Sequence, residues 1–212
     1  MTTKIRYLPD QTDPARLYKL VAGLVVPRPI ALVSTVDRDG RANLAPFSWF
    51  NAVSTDPPYL CISIGRHAGD RPKDTLNNIL ATGEFVVNLV GETIAPQQDA
   101  CAQAHPSGVD EFQTSGLTPA PASRVRPPCV AESKAWFECT LTQALPLPRG
   151  SYTLVLGEVV AIHVDSDVVG AQGRIDMAAL RGVGRLAGRD YCRLGDAFSL
   201  EHDSFNRFGQ RP

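Results

Sequence analysis

The sequence lacks long apolar runs and any concentration of charge. No stretch approaches the roughly 20 consecutive apolar residues that cross a bilayer, and residues 1–13 lack the apolar core of a signal peptide. The 21 basic and 22 acidic residues give a formal net charge of -1 and are spread along the chain, so no basic block is present to hold a nucleic-acid backbone. We therefore expect a cytoplasmic protein without a nucleic-acid or membrane partner.

The usual patterns of metal sites, disulfides and hydrolytic catalysis are also missing. The five cysteines form no CxxC pair and are odd in number. None of the four histidines has a neighbour at i+2 or i+4 that would complete a metal pair. The chain contains neither a GxSxG elbow nor an HExxH helix. We expect reduced thiols, no metal, and a reactive atom that a cofactor supplies.

What the sequence does contain is enough apolar material for one compact core. It has 212 residues, of which 43% are hydrophobic and 20% charged. This length leaves little room for two independent cores. We therefore expect residues 1–212 to form a single domain.

The local patterns predict many strands and a few short helices. Asp13 followed by Pro14 is typical of a helix start, and this helix is predicted to end near Gly23 or Val25. Residues 30–36 and 41–50 flank an Asp39-Gly40 turn signal and predict a β-hairpin. The other predicted strands are residues 59–64, 84–90, 134–145 and 152–164, and the other predicted helices are residues 74–82, 93–104 and 176–180.

This order of elements indicates a mainly β fold with peripheral helices. The strands do not alternate regularly with helices, which favours an antiparallel barrel over a doubly wound sheet. The glycine cluster at residues 182–188 has its third glycine one position too late for a dinucleotide fingerprint, and no convincing strand precedes it. Residues 105–128 are predicted to be a loop, and loops of that length are often functional.

One candidate binding segment is cationic and lies at the start of a predicted helix. Arg71, Lys73 and Thr75 place two cations and a hydroxyl where free backbone N–H groups attract anions. The carboxylate of Asp74 would repel a phosphate unless it turned inward to cap the helix or to pair with a cation. The segment therefore has two interpretations, a phosphate site or an ordinary capped surface helix.

A second candidate segment alternates small or polar residues with aromatics. Residues 43–51 contain Pro46, Phe47 and Trp49 within a predicted strand. An isoalloxazine ring needs such an apolar wall with polar groups along one edge; the alternative is a half-buried strand with two core aromatics. Ser34 and Thr35 are uninformative on their own. Residues 136–139 are assigned to barrel packing.

Taken together, several segments resemble the flavin reductase-like domain family. The order and spacing of the segments match the family, and the similarity extends from about Arg28 to Val164. The resemblance implies an FMN-binding split barrel that forms a homodimer, with each flavin near the subunit interface. The segments that carry it are residues 27–35, 43–48, 56–58, 73–75, 83–89 and 156–160.

The resemblance also implies a set of cofactor-binding residues. The phosphate would be held by Arg71, Lys73 and Thr75, with Asp74 beside them. Catalytic residues are not identified. The predicted contacts to the ring and ribityl chain are Ser34, Thr35, Asn43, Ala45, Pro46, Phe47, Ser48 and Asn51.

One departure from the family pattern concerns the nicotinamide. Flavin reductases of two-component monooxygenases commonly carry a Gly-Asp-His motif before the late strand. This chain has residues 149–152, Arg-Gly-Ser-Tyr, at that place, which is more similar to the flavoredoxin-like branch. Three hypotheses follow: an NAD(P)H-dependent FMN reductase serving a flavin or protein acceptor, an electron-transfer protein that keeps FMN tightly and meets a redox partner, or an interaction module without cofactor.

Overall fold

The fold is built around one antiparallel sheet. The structure is a computed structural model and describes residues 2–67, 70–103 and 105–198. Seven strands pair in the order β2-β1-β5-β8-β9-β4-β3, and two small two-stranded sheets, β6-β7 and β10-β11, accompany them. The strands are β1 (Ala31–Val36), β2 (Ala42–Phe47), β3 (Phe50–Thr55), β4 (Pro58–Gly65), β5 (Glu84–Leu89), β6 (Pro119–Ala120), β7 (Cys129–Val130), β8 (Ala135–Pro146), β9 (Tyr152–Val164), β10 (Val183–Arg185) and β11 (Tyr191–Arg193).

The predicted mainly β class with peripheral helices is confirmed, because most of the regular structure is strand and the helices around the sheet are short. Asp13 caps the first helix by accepting a hydrogen bond from the Arg16 amide, and Gly83 ends the second in the left-handed conformation, with φ 73°. The α-helices are α1 (Pro14–Leu24), α2 (Asp74–Thr82), α3 (Ala95–Ala100), α4 (Glu111–Ser115) and α5 (Met177–Leu180); single 3-10 turns cover Pro9–Gln11, Glu92–Ile94 and Ala171–Gly173.

Three boundaries differ from the sequence-based expectation. The return strand of the first hairpin ends at Phe47, and β3 follows as a separate strand that pairs with β4. The helix expected over residues 93–104 is a 3-10 turn followed by α3, which ends at Ala100, and Ala104 lies outside the described residues. The expected loop at residues 105–128 contains α4 and β6.

The sheet curls so that its two ends approach each other. The end strands β2 and β3 are consecutive in the chain and only Ser48 and Trp49 separate them. The Ser63 amide donates to the Trp49 carbonyl at 2.8 Å, which ties this corner to β4. Among the described strands, β2 and β3 do not pair, so the sheet stays open at this corner.

Strand β1 lies in the middle of the core. All six of its residues are buried, because one face packs on a cluster that includes α2 and the other on a cluster that includes α4. Val33 belongs to the first cluster and Leu32 to the second. The adjoining hairpin strand β2 is therefore held firmly against this core through β1. None of the helices in the described parts of the chain has the length and apolar character needed to cross a bilayer.

Candidate functional site

The N-terminal end of α2 meets the outer strand β2. Thr75 is buried, and its hydroxyl accepts a hydrogen bond of 3.0 Å from the Asn43 side-chain amide. The ammonium of Lys73 lies 5.2 Å from the centroid of the Phe47 ring. Lys73 is also the residue before the first turn of α2, and its side chain does not cap the helix. The fold thus joins the two segments that the sequence marks as candidates.

A first cavity of about 160 Å³ lies along this junction. Six of the twelve predicted cofactor-binding residues line it: Asn43, Ala45, Pro46, Lys73, Asp74 and Thr75. Burial lowers the pKa of Lys73, because an ammonium removed from water is less stable than the neutral amine. No ion pair to Lys73 is present within the described residues. The Lys73 ammonium is therefore available to bind an anion in this cavity.

The opposite wall of the first cavity consists of residues that the sequence analysis missed. The Glu111 carboxylate accepts from the Leu44 amide at 2.9 Å, and burial raises the pKa of this carboxyl. Burial also lowers the pKa of His67, and the charges of Arg71 and Lys73 lower it further. The only sequence signal for this wall was the long loop that contains Glu111. The missed lining residues are His67, Cys101, Ala102, Gln103, His105 and Glu111.

A second cavity, of about 170 Å³, adjoins the first. The two share Pro46 and Ala102, and the second continues along Phe47 and Ser48 to α3 and the β10–β11 hairpin. Eight predicted residues thus line one or both cavities. The other lining residues of the second cavity are Tyr18, Ala22, Arg28, Ile30, Gln98, Asp99, Arg185, Leu186, Gly188 and Tyr191.

A buried arginine supports the corner between β2 and β3. Arg28 is 6% exposed, and its guanidinium donates to the carbonyl oxygens of Ala22 and Val25 at 2.5 and 2.6 Å. These carbonyls lie at the C-terminal end of α1, where the helix dipole favours a cation. The same group lies 5.3 Å from the Trp49 ring centroid and 3.5 Å from the Ser48 hydroxyl. Arg28 therefore fixes the polypeptide that forms the second cavity.

Four predicted residues lie outside both cavities. Ser34 and Thr35 are fully buried, and their hydroxyls accept hydrogen bonds from Asn88 at 3.3 Å and from Asn78 at 3.1 Å, respectively. Their side chains point to opposite faces of β1, as alternation along a strand requires. Asn51 is exposed on β3 and Arg71 is exposed close to Lys73. The structure brings Arg71 near the first cavity, where its carbonyl accepts from the His67 amide at 2.9 Å, but leaves Asn51 on the end strand β3, outside both cavities.

An open cleft of about 770 Å³ continues from the second cavity to the surface. The two share Asp99, Ala102 and Tyr191. The cleft also includes Arg189 and Arg193 of the β10–β11 hairpin region. A bound group in the second cavity would therefore be accessible to a second molecule from the cleft.

Comparison with known proteins gives a consistent picture. The model of the flavin reductase like domain matches residues 23–180. The crystal structure of nitrilotriacetate monooxygenase component B from Bacillus cereus has a TM-score of 0.90 and 34% identity, covering 94% of this chain and 100% of that chain. The 2-nitrobenzoate 2-nitroreductase NbaA of Pseudomonas fluorescens has a TM-score of 0.85 and 30% identity, covering 95% and 98%. The flavoredoxin of Desulfovibrio vulgaris (Miyazaki F) has a TM-score of 0.74 and 25% identity, covering 85% and 93%.

Proposed function

The chain belongs to the flavin reductase-like domain family, and from this premise we propose that it is an oxidoreductase that binds one FMN per protomer. Hydride or electrons would pass from NAD(P)H through FMN to a flavin or protein acceptor. The observation that carries this proposal is the junction of the two cavities at Pro46 and Ala102. One cavity offers a cation and a helix N-terminus, and the other offers an aromatic and polar wall, as the two ends of a mononucleotide require.

Lys73, Thr75 and the start of α2 fit a phosphate in the first cavity, while the carboxylate of Asp74, which also lines it and pairs with no cation in the described part of the chain, opposes one. Lys73 supplies a half-buried ammonium that forms no ion pair within the described residues. The amides of the first turn of α2 supply further donors, and exposed Arg71 lies close enough in sequence to add charge. Asn43 fixes the Thr75 hydroxyl by donating to it at 3.0 Å, which leaves the hydroxyl proton free to donate. Glu111 fixes strand β2 beside the cavity, because its carboxylate accepts a hydrogen bond from the Leu44 amide.

The residues of the second cavity fit an aromatic ring system. FMN, when bound, supplies a ring that accepts hydride or electron pairs. Phe47 and Pro46 provide apolar surface, and Ser48 provides a hydroxyl at the ring edge. These side chains would orient the ring within the second cavity, which α1, α3 and the β10–β11 hairpin also line and which the open cleft adjoins. Water is thereby excluded from the covered part of the ring.

The proposal extends to the architecture and to the extent of the domain. A sheet whose edge strands are joined by Ser48 and Trp49, yet unpaired, is the arrangement expected of a split barrel. Residues 1–212 are proposed to form one domain. In support, Arg28 and Arg185 exchange backbone hydrogen bonds of 3.0 and 2.8 Å, which attaches the last hairpin to the start of the sheet.

The alternative function is a tightly bound FMN that exchanges electrons with a redox partner protein and does not use NAD(P)H. The similarity to a flavoredoxin and the sequence of residues 149–152 support it. Absorbance spectroscopy after gel filtration separates the two functions. Retained flavin that is reduced by light but not by NADH or NADPH supports the carrier, whereas rapid loss of nicotinamide absorbance with added FMN supports the reductase. Protein that stays colourless and binds no added FMN contradicts both.

The phosphate site is tested by two single substitutions. Lys73→Ala should weaken FMN binding by about 1.5–3 kcal/mol, because it removes a charge-assisted hydrogen bond. Arg71→Ala should have a smaller effect, because Arg71 is exposed and lines neither cavity. Titration of the protein with FMN, followed by flavin fluorescence, measures both. Arg38→Ala, which removes an exposed cation of the β1–β2 turn, serves as the control and should leave affinity unchanged. Equal affinities in all four proteins would place the phosphate elsewhere.

A further inference from the structure

A buried glutamine of α3 faces the second cavity. Gln98 is 3% exposed and lines this cavity together with Ser48 and Arg185. Its side-chain oxygen Oε1 is buried and has no hydrogen-bond partner within the described residues. A buried acceptor without a hydrogen bond destabilises the protein, and buried polar groups in native structures are almost always hydrogen-bonded. A bound ligand is therefore a candidate partner for Gln98 Oε1.

The chemistry of the amide indicates the kind of partner. A glutamine amide presents one acceptor and two donors side by side, and its last torsion is broad, so either end can turn towards the cavity. The complementary edge has an N–H next to a carbonyl, as in a cyclic imide. Arg185 is suited to the second carbonyl of an imide, because its guanidinium is held 4.4 Å from the Tyr191 ring centroid and lies at the same cavity.

We propose that Gln98 binds the imide edge of the isoalloxazine ring, through N3–H and an adjacent carbonyl, with Arg185 at the other carbonyl. This inference rests on the proposed function and adds an orientation to it. With the phosphate at Lys73 in the first cavity, the pyrimidine end of the ring would lie in the second cavity beside α3 and the β10–β11 hairpin. Gln98 is thus a residue that selects ligands with an imide edge.

Binding of FMN and of N3-methyl-FMN to matched variants tests this orientation. N3-methylation removes the N–H whose hydrogen bond Gln98 Oε1 accepts. The loss of one such bond should make the wild-type protein bind N3-methyl-FMN about tenfold more weakly than FMN. Gln98→Leu should bind the two ligands with equal affinity. Gln97→Leu is the control, because Gln97 is the adjacent residue of α3, its Oε1 also has no partner in the part of the chain that the structure describes, and it lines neither cavity. This variant should keep the tenfold preference.

The midpoint potential of bound flavin gives a second readout for Arg185. Arg185→Gln should lower this potential, because a cation beside the pyrimidine end stabilises the negative charge of reduced flavin. Gln98→Met, which keeps the length of the side chain, repeats the ligand comparison if Gln98→Leu fails to fold. Retention of the tenfold preference in the folded Gln98 variant overturns the inference while leaving FMN binding intact. Failure of the wild-type protein to bind either flavin instead overturns the proposed function itself.

Discussion

At the scale of single residues, Lys73 combines partial burial with a charge that has no ion-pair partner among the described residues. Its ammonium lies over the Phe47 ring and faces the first cavity. Burial lowers its pKa, so the free protein loses this charge at a lower pH than an exposed lysine would. A bound phosphate would favour the charged form in return. The residue therefore links proton binding to ligand binding.

This linkage predicts a pH dependence of FMN affinity. As pH rises through the lowered pKa of Lys73, the ammonium becomes neutral and affinity should fall; as pH decreases again, affinity should return. Lys73→Arg should remove this alkaline loss, because a guanidinium keeps its charge throughout this range. Dissociation constants measured from neutral pH to about 10 test the prediction. An identical alkaline loss in Lys73→Arg would assign the titration to another group.

At the scale of elements, β9 is packed closely against the core at one glycine. A Cβ added to Gly157 would overlap Cζ of Phe85 and lie 3.3 Å from Cβ of Cys139. Phe85 and Cys139 are both fully buried. The packing of β5 and β8 against β9 therefore depends on the absence of a side chain at residue 157.

Substitution of this glycine should destabilise the protein. Gly157→Ala displaces the Phe85 ring from a filled core, and overpacking of this kind costs about 1–3 kcal/mol. Gly23→Ala in α1 is the matched control: its added Cβ would lie 3.8 Å from Cβ of Ala187, and alanine in a helix is favoured over glycine by roughly 0.5–1 kcal/mol. Urea unfolding of both variants should give opposite changes in midpoint. A stable Gly157→Ala would mean that Phe85 has room to move.

Elements whose sequence carries its own start, stop or turn signals are the ones that the sequence predicts correctly. Helices α1 and α2 carry their own start and stop signals, Asp13 and Gly83, and the long hairpin β8–β9 has two long strand patterns around a turn. Strand β3 is mostly exposed, so no alternation of buried apolar residues marks it, and α4 has only five residues to define a period; both were missed. Of the candidate segments 43–51 and 71–75, the structure joins Asn43 to Thr75 and Phe47 to Lys73. The wall containing Glu111 arises from tertiary contacts that no local pattern encodes.

At the scale of the whole molecule, α1 leaves an apolar surface uncovered. Tyr18, Val21 and Leu24 are 58%, 46% and 79% exposed, while Ala22 alone among the residues of this helix is buried. An apolar helix face open to water is typical of a protein–protein contact. Tyr18 also lines the second cavity. We infer that a second copy of the chain covers α1 and so lies near the proposed flavin ring.

Charge placed on this surface should prevent that association. The double variant Val21→Glu and Leu24→Glu should be monomeric, because two carboxylates would have to be buried without partners. Light scattering coupled to size-exclusion chromatography gives the mass. Val169→Glu, at a 43% exposed valine in another segment, should keep the mass of the wild-type protein. A double variant with unchanged mass, or a monomeric wild type, would contradict the dimer through α1.

The outer edge of β2 has a consequence beyond ligand binding. At this edge the Leu44 amide already donates to Glu111, and two residues further on Pro46 has no amide hydrogen to offer. Two successive outward positions are thus closed to a strand from another chain. The strand that forms the cavity wall therefore also has an edge to which a strand of another chain cannot pair, which disfavours aggregation.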